Sequence, residues 1–143
     1  MYDEILLPTD GSSGTAAVID HAAAIATERD ARVHVLYVVD SRLYRAADAE
    51  TTDEVRRSLE EEGGRAIDEA RVSLADDGVD VHTERRTGIP DRVVTDYADE
   101  AGIDLVVMGT HGQTGPERLV ALGSTTERVV KHADVPVLVV DID

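Results

Sequence analysis

Four short runs of almost uninterrupted aliphatic residues recur along this chain, each separated from the next by a longer polar stretch. They are Glu4-Ile5-Leu6-Leu7, Val33-His34-Val35-Leu36-Tyr37-Val38-Val39, Leu105-Val106-Val107-Met108 and Val135-Pro136-Val137-Leu138-Val139-Val140. A strand with one wet face alternates apolar and polar residues. A strand that is apolar throughout is covered on both faces, as in a parallel sheet sandwiched between helices. A fifth run, Val79-Asp80-Val81-His82-Thr83, does alternate and is expected at a sheet edge.

The stretches between these runs carry helical periodicity. In the first, Val18, Ala22 and Ile25 with Ile19, Ala23 and Ala26 form an apolar stripe, while Asp20 and Thr27 fall opposite. The second carries Val55, Leu59, Ile67, Ala70 and Leu74, with Gly63-Gly64 inside it as an expected weak point or break. Val93, Val94 and Tyr97 mark a third, entered through Thr87-Gly88-Ile89-Pro90 with proline at the first helical position. A fourth starts near Ser124 and carries Val129, Val130 and Ala133, and Ser124-Thr125-Thr126-Glu127 has the spacing of a capping box. The polar segment from Asp40 to Thr52 has no clear period and is expected to be a long loop. Strands that alternate with helices connect through right-handed crossovers. The expected fold is therefore α/β: a doubly wound, Rossmann-like, five-stranded parallel sheet with four helices. The 143 residues fit one domain spanning 1–143.

Composition narrows the function classes. No apolar run approaches the roughly 18 residues a membrane helix needs. Met1 leads straight into the first strand without a basic or long apolar leader, so cytoplasm is the expected compartment. There is no cysteine, which removes disulfides and thiolate chemistry. Thirty acidic residues face fourteen basic ones, a net charge of −16, and Lys131 is the only lysine. Such a surface offers no basic stripe for nucleic acid. It suits concentrated salt, where self-repulsion is screened within about 3 Å, and a halophilic source is inferred. The histidines at 21, 34, 82, 111 and 132 have no metal-ligand spacing.

In an open parallel sheet a ligand binds beyond the carboxyl ends of the strands, where successive connections leave for opposite faces. Two such turns carry unusual residues. Pro8-Thr9-Asp10-Gly11-Ser12-Ser13 follows the first strand; a turn with a serine cap explains all of it except the carboxylate of Asp10 at the strand end. After Met108 comes Gly109-Thr110-His111-Gly112, then Gln113-Thr114-Gly115, and later Gly123-Ser124-Thr125-Thr126 at a helix start. Glycines let amides approach an anion closely, and a helix start adds free N–H donors and partial positive charge. The hydroxyls of Ser124, Thr125 and Thr126 add further donors, so phosphates can be held without lysine.

These motifs, with the closing Val135 to Val140 run, resemble the universal stress protein family across essentially the whole chain. The resemblance implies a strand order of 3-2-1-4-5, which sets the first and fourth strands side by side. It also implies the family's ATP-binding branch, whose motif runs Gly, two residues, Gly, nine residues, Gly, then Ser or Thr. On that reading Gly109, Gly112, Gly123 and Ser124 hold ribose and phosphates, and Thr125 and Thr126 donate from the helix start. Pro8, Thr9 and Asp10 line the base and ribose end, Val38 meets adenine through its backbone, and Met108 packs nearby. The chain departs from the motif in having ten residues between Gly112 and Gly123.

The resulting expectation is a stress or signalling module that binds ATP with Mg2+, with no catalytic residues and no protein-held metal. The alternatives are a slow ATP hydrolase, for which Arg118 and Arg128 are the candidate charge-stabilising groups, and a nucleotide-free dimeric scaffold. An apolar terminal strand left as an open edge is usually paired or covered. With the family resemblance, this makes a homodimer through Val135 to Val140 the expected assembly.

Overall fold

The computed structural model describes residues 1–10, 15–45, 48–110 and 123–142. Five strands, β1 (Glu4–Thr9), β2 (Arg32–Asp40), β3 (Asp80–Gly88), β4 (Leu105–Gly109) and β5 (Val137–Val140), alternate with four helices among these residues. The helices are α1 (Thr15–Arg29), α2 (Ala49–Asp76), α3 (Pro90–Glu100) and α4 (Ser124–His132). All strand pairs are parallel and the order is β3-β2-β1-β4-β5, as the resemblance implied.

Period-two alternation sorts the core into two layers. Ile5, Leu7, Val33, Val35, Leu105 and Val107 point to one face, under α1 and α2. Leu6, Leu36, Val106 and Met108 point to the other, under α3 and α4. Most of these side chains are fully out of water, which stabilises the fold by roughly 1.5–3 kcal/mol for each large aliphatic. One polar network interrupts the second layer. His34 bonds Tyr97 Oη through Nδ1 at 2.7 Å and Glu4 Oε1 through Nε2 at 2.8 Å, so its burial leaves no ring nitrogen unsatisfied.

Several sequence expectations change. β3 is an edge strand, as its alternation suggested, but it runs to Gly88 and pairs with β2 from Arg32–Asp80 to Asp40–Gly88. Its second half, Glu84-Arg85-Arg86, is polar, with Arg85 exposed and Glu84 and Arg86 half-buried, so both faces of this end of the edge strand reach water. β5 begins at Val137, so Val135 and Pro136 belong to the connection. The expected long loop after β2 is shorter. A 3-10 turn occupies Ser41–Leu43, and α2 already starts at Ala49, where the Asp48 carboxylate accepts a bond from the Thr51 amide at 2.8 Å. The capping box does not form: Gly123 is the N-cap of α4, no side chain caps it, and Ser124 is the first helical residue. Val130 lies off the buried face of α4, 43% exposed.

The Gly63-Gly64 pair does not break α2, which continues unbroken for 28 residues. A Cβ on Gly63 would sit 2.4 Å from Cδ1 of Tyr37, so glycine is what lets the helix lie against that ring; a Cβ on Gly64 would meet nothing within 4 Å. The two glycines therefore respond oppositely to the same change. Gly63→Ala is expected to destabilise by about 1–3 kcal/mol through overpacking. Gly64→Ala should stabilise by up to about 1 kcal/mol through helix propensity. Denaturant unfolding of the two variants checks both signs, and a Gly63→Ala protein as stable as wild type removes the packing argument.

Candidate functional site

β1 and β4 are neighbours, but their ladder consists of Ile5–Leu105 and Leu6–Val106 and goes no further. Beyond it β1 continues to Thr9 and β4 to Gly109, and their connections leave for opposite faces, to α1 and to α4. A crevice of ≈ 400 Å³ opens there, at the carboxyl edge of the sheet.

The end of β4 is held by α4 and β5. The buried hydroxyl of Thr126 donates to the Gly109 carbonyl at 2.8 Å, the Gly123 amide to the Thr110 carbonyl at 2.7 Å, and the Thr110 amide to the Val140 carbonyl at 2.9 Å. The first intrahelical bond of α4 runs from the Glu127 amide to the Gly123 carbonyl. The amides of Ser124, Thr125 and Thr126 thus have no partner inside the helix and add to the positive end of its dipole at the crevice.

Ten of the eleven residues picked out from the sequence line this one crevice: Pro8, Thr9 and Asp10 from β1 and its turn, Val38 from β2, Met108 and Gly109 from β4, and Gly123, Ser124, Thr125 and Thr126 from the start of α4. The eleventh, Gly112, lies outside the described residues, as do Gly11, Ser12, Ser13, His111, Gly115 and Arg118. Two roles change. Thr126 spends its single hydroxyl proton on Gly109, so only its amide remains to donate to a ligand. At Gly109 a Cβ would meet Cδ1 of Ile142 at 2.8 Å, so the missing side chain there makes room for the protein's own core. Arg128 is not among the crevice-lining residues; it stands 3.9 Å from the Asp91 carboxylate.

The walls also contain residues that the sequence motifs did not single out. Val38 and Met108 are joined by Pro90 and Val94 in an apolar surface on the α3 side. The 3-10 turn contributes Arg42, the one cationic residue among the described lining. It is occupied by Asp40, with Nε to Oδ1 at 2.9 Å and Nη2 to Oδ2 at 2.8 Å. Burial pushes the Asp40 carboxyl up, but the hydrogen bonds from Arg42 outweigh it and hold it below the usual carboxylate range. From α2 come Leu59 and Glu62, and from β2 comes Tyr37. Burial first, then the Glu62 and Asp10 carboxylates, push the Tyr37 phenol from 10.0 up to about 12. Glu62 reaches this crevice because α2 packs against β2 next to Tyr37, where Gly63 lies against the ring.

The sequence pattern that defines the universal stress protein family matches residues 1–141. Universal stress protein MJ0531 of Methanocaldococcus jannaschii is 42% identical over 141 residues, which is 98% of this chain and 82% of the relative. The solved structure of protein MJ0577 from the same organism superposes with a TM-score of 0.88 at 34% identity, covering 100% of this chain and 98% of that one. A universal stress protein family member from Arabidopsis thaliana, solved with AMP bound, shares the fold with a TM-score of 0.72 at 18% identity, covering 98% and 92%.

The Thr126–Gly109 bond is the joint on which the crevice geometry rests. Thr126→Val keeps the shape and removes the donor, and should cost about 1–3 kcal/mol by stranding a carbonyl. Thr126→Ser should recover most of that loss. Urea unfolding of the three proteins reads this directly, and equal stability of Val and Thr at 126 would show that the carbonyl finds another donor.

Proposed function

The chain belongs to the universal stress protein family, and on that premise we propose that its crevice binds an adenine nucleotide, ATP together with Mg2+, as the signal of a stress-response module. One observation carries this reading: the turn after β1 and the start of α4 meet in a single crevice, at the point where the β1–β4 ladder ends. Its α4 side offers a row of three unpaired amides, with the Ser124 and Thr125 hydroxyls beside them, which is the chemistry a phosphate chain needs. Its α3 side offers Pro90, Val94, Met108 and Val38, an apolar surface against which a flat base can pack. The same fold holds AMP in the Arabidopsis protein.

Mg2+ fits this site as a companion of the nucleotide. The described lining holds Asp10, Asp40 and Glu62 against one arginine, so a triphosphate enters a crevice of its own sign. Among the described residues no group of three carboxylate or histidine side chains forms a metal cage. Mg2+ typically binds through one or two carboxylates together with substrate phosphates, and keeps several waters. When bound it would supply countercharge to the phosphates, while the chain's own amides fix their position.

Hydrolysis asks for a positioned water and a charge-stabilising group beside the transferring phosphoryl. Among the described residues Arg42 is engaged by Asp40 and Arg128 lies outside the lining; Arg118 lies outside the described residues, and the reading proposed is binding without efficient turnover. A halophilic source is the setting that the −16 charge supports, and the cytoplasm is the compartment proposed. The outer edge of β5, where Val137, Leu138 and Val139 are only half-buried, is the surface proposed to pair two copies.

Calorimetric titration with Mg-ATP in molar KCl should show saturable binding to wild type. Gly123→Val, which puts a branched side chain at the N-cap of α4, should bind about tenfold more weakly or not at all. Heat-free titration of nucleotide-free wild type overturns the reading in favour of a scaffold. Phosphate release that grows linearly with time and is lost in Gly123→Val would establish the hydrolase instead. Light scattering in the same buffer should give twice the chain mass of 15.4 kDa, and a single-chain mass would rule out pairing through β5.

A further inference from the structure

Pro90 and Val94 of α3 wall one side of the crevice, yet the polar ties of α3 lie at its other end. Tyr97 is 3% exposed and His34 6%. The Tyr97 hydroxyl and His34 Nδ1 stand 2.7 Å apart, and His34 Nε2 stands 2.8 Å from Glu4 Oε1. An ionised carboxylate only accepts. Beside an ionised Glu4 the ring therefore carries its hydrogen on Nε2 and takes the Tyr97 proton at Nδ1. The Arg86 guanidinium lies over the Tyr97 ring, 4.7 Å from its centroid, and its Nη1 bonds Glu100 at 2.8 Å. The last turns of α3 are thus tied to β2 and β1 through His34 and Glu4, and to β3 through Arg86. Among the described residues the crevice end has a looser tie, Asp91 to Arg128 at 3.9 Å, and no side chain caps the helix start at Ile89.

We propose that Tyr97, through its bond to His34, is the positioning residue for the α3 wall of the crevice, so that a network outside the site sets how well the flat apolar part of a ligand packs there. The inference rests on the nucleotide reading above and adds a residue that is not among the crevice lining. Apolar burial has no preferred direction, so by itself it lets a helix turn or slide on a sheet at little cost. A hydrogen bond weakens steeply as its angle closes or its length grows, so a buried one fixes both the height and the rotation of the helix. Val94 and Tyr97 are three residues apart on one buried face, and Pro90 lies one turn before Val94. Whatever seats Tyr97 therefore seats the wall. Loss of the hydroxyl does not leave the helix where it was. It strands His34 Nδ1 in a buried place, and α3 must shift against β2 to admit another partner.

The test is a double-mutant cycle on Mg-ATP affinity in molar KCl. It compares wild type, Tyr97→Phe, which keeps the ring under Arg86, Val94→Ala, which cuts back the wall, and the pair together. Circular dichroism at the titration temperature confirms that each is folded. Tyr97→Phe should weaken ATP by about three- to tenfold, since the wall loses no more than one neutral hydrogen bond held in it. Because Tyr97 acts through the wall, the two losses should couple, and in the Val94→Ala background the same change should weaken ATP by less than about twofold. Should Val94→Ala fail to fold or bind too weakly to read, Pro90→Ala takes its place in the cycle. Leu74→Val, which removes a buried methylene from the core layer on the other face of the sheet, should lower the thermal midpoint and leave ATP affinity unchanged. If wild type binds ATP and Tyr97→Phe binds it equally well, the positioning role is wrong and the nucleotide reading stands. Fully additive losses, or an equal loss in Leu74→Val, also overturn it, since the phenol would then act on the fold as a whole. No ATP binding by wild type overturns both.

Discussion

The crevice exists because β1 and β4 stop pairing after two rungs and the end of β4 is bonded to α4 instead. In a parallel sheet, neighbouring strands usually carry their ladder to their ends. Here that would leave a flat edge with no room for a ligand. The Thr126 hydroxyl satisfies the Gly109 carbonyl, and the Gly123 amide satisfies the Thr110 carbonyl, so the divergence costs little in unmet hydrogen bonds. The same two bonds seat the first turn of α4 over the opening. One local exchange, ladder bonds for helix-start bonds, thus produces both the cavity and its row of donors.

Much of the fold was legible because burial on both faces writes itself into sequence as unbroken aliphatic runs, and those runs marked β1, β2, β4 and β5. The errors share a cause: each depended on a neighbour that the local sequence does not name. The second half of β3 is polar yet fully paired with β2, because hydrogen bonding along an edge strand needs no apolar side chain. Gly63 looked like a helix breaker. Its helix penalty of about 1 kcal/mol is offset by contact with a tyrosine 26 positions earlier in the chain. The Ser124–Glu127 spacing fits a capping box, but a box needs a free N-cap, and tertiary bonding to Thr110 had moved the cap by one residue.

The candidate site divides in the same way. Its motif residues sit in βα turns, where strand order alone brings them together, so Asp10, Gly109 and Gly123 could be placed from topology. Tyr37 and Glu62 could not. Tyr37 falls in a run that reads as core, and only its neighbours decide whether the ring ends in packing or in a cavity. Glu62 sits in an acidic triplet, Glu60-Glu61-Glu62, that reads as a solvated helix face. Period 3.6 assigns a face to each of the three, but not the element that face will meet. Packing of α2 against β2, with Gly63 against Tyr37, turns a carboxylate that reads as surface into a wall of the crevice.

The arrangement has an electrostatic consequence. A phosphate clamp built on lysines works partly at a distance and loses strength as salt shortens the Debye length. Amides held in a helix start act through contact alone, and their alignment is paid for in folding rather than at binding. Screening of about 3 Å at molar salt leaves such bonds nearly intact while muting the repulsion from Asp10, Asp40 and Glu62. An acidic chain with one lysine therefore gives up little by using neutral donors, and concentrated salt mutes the repulsion of the crevice carboxylates toward any anion that enters.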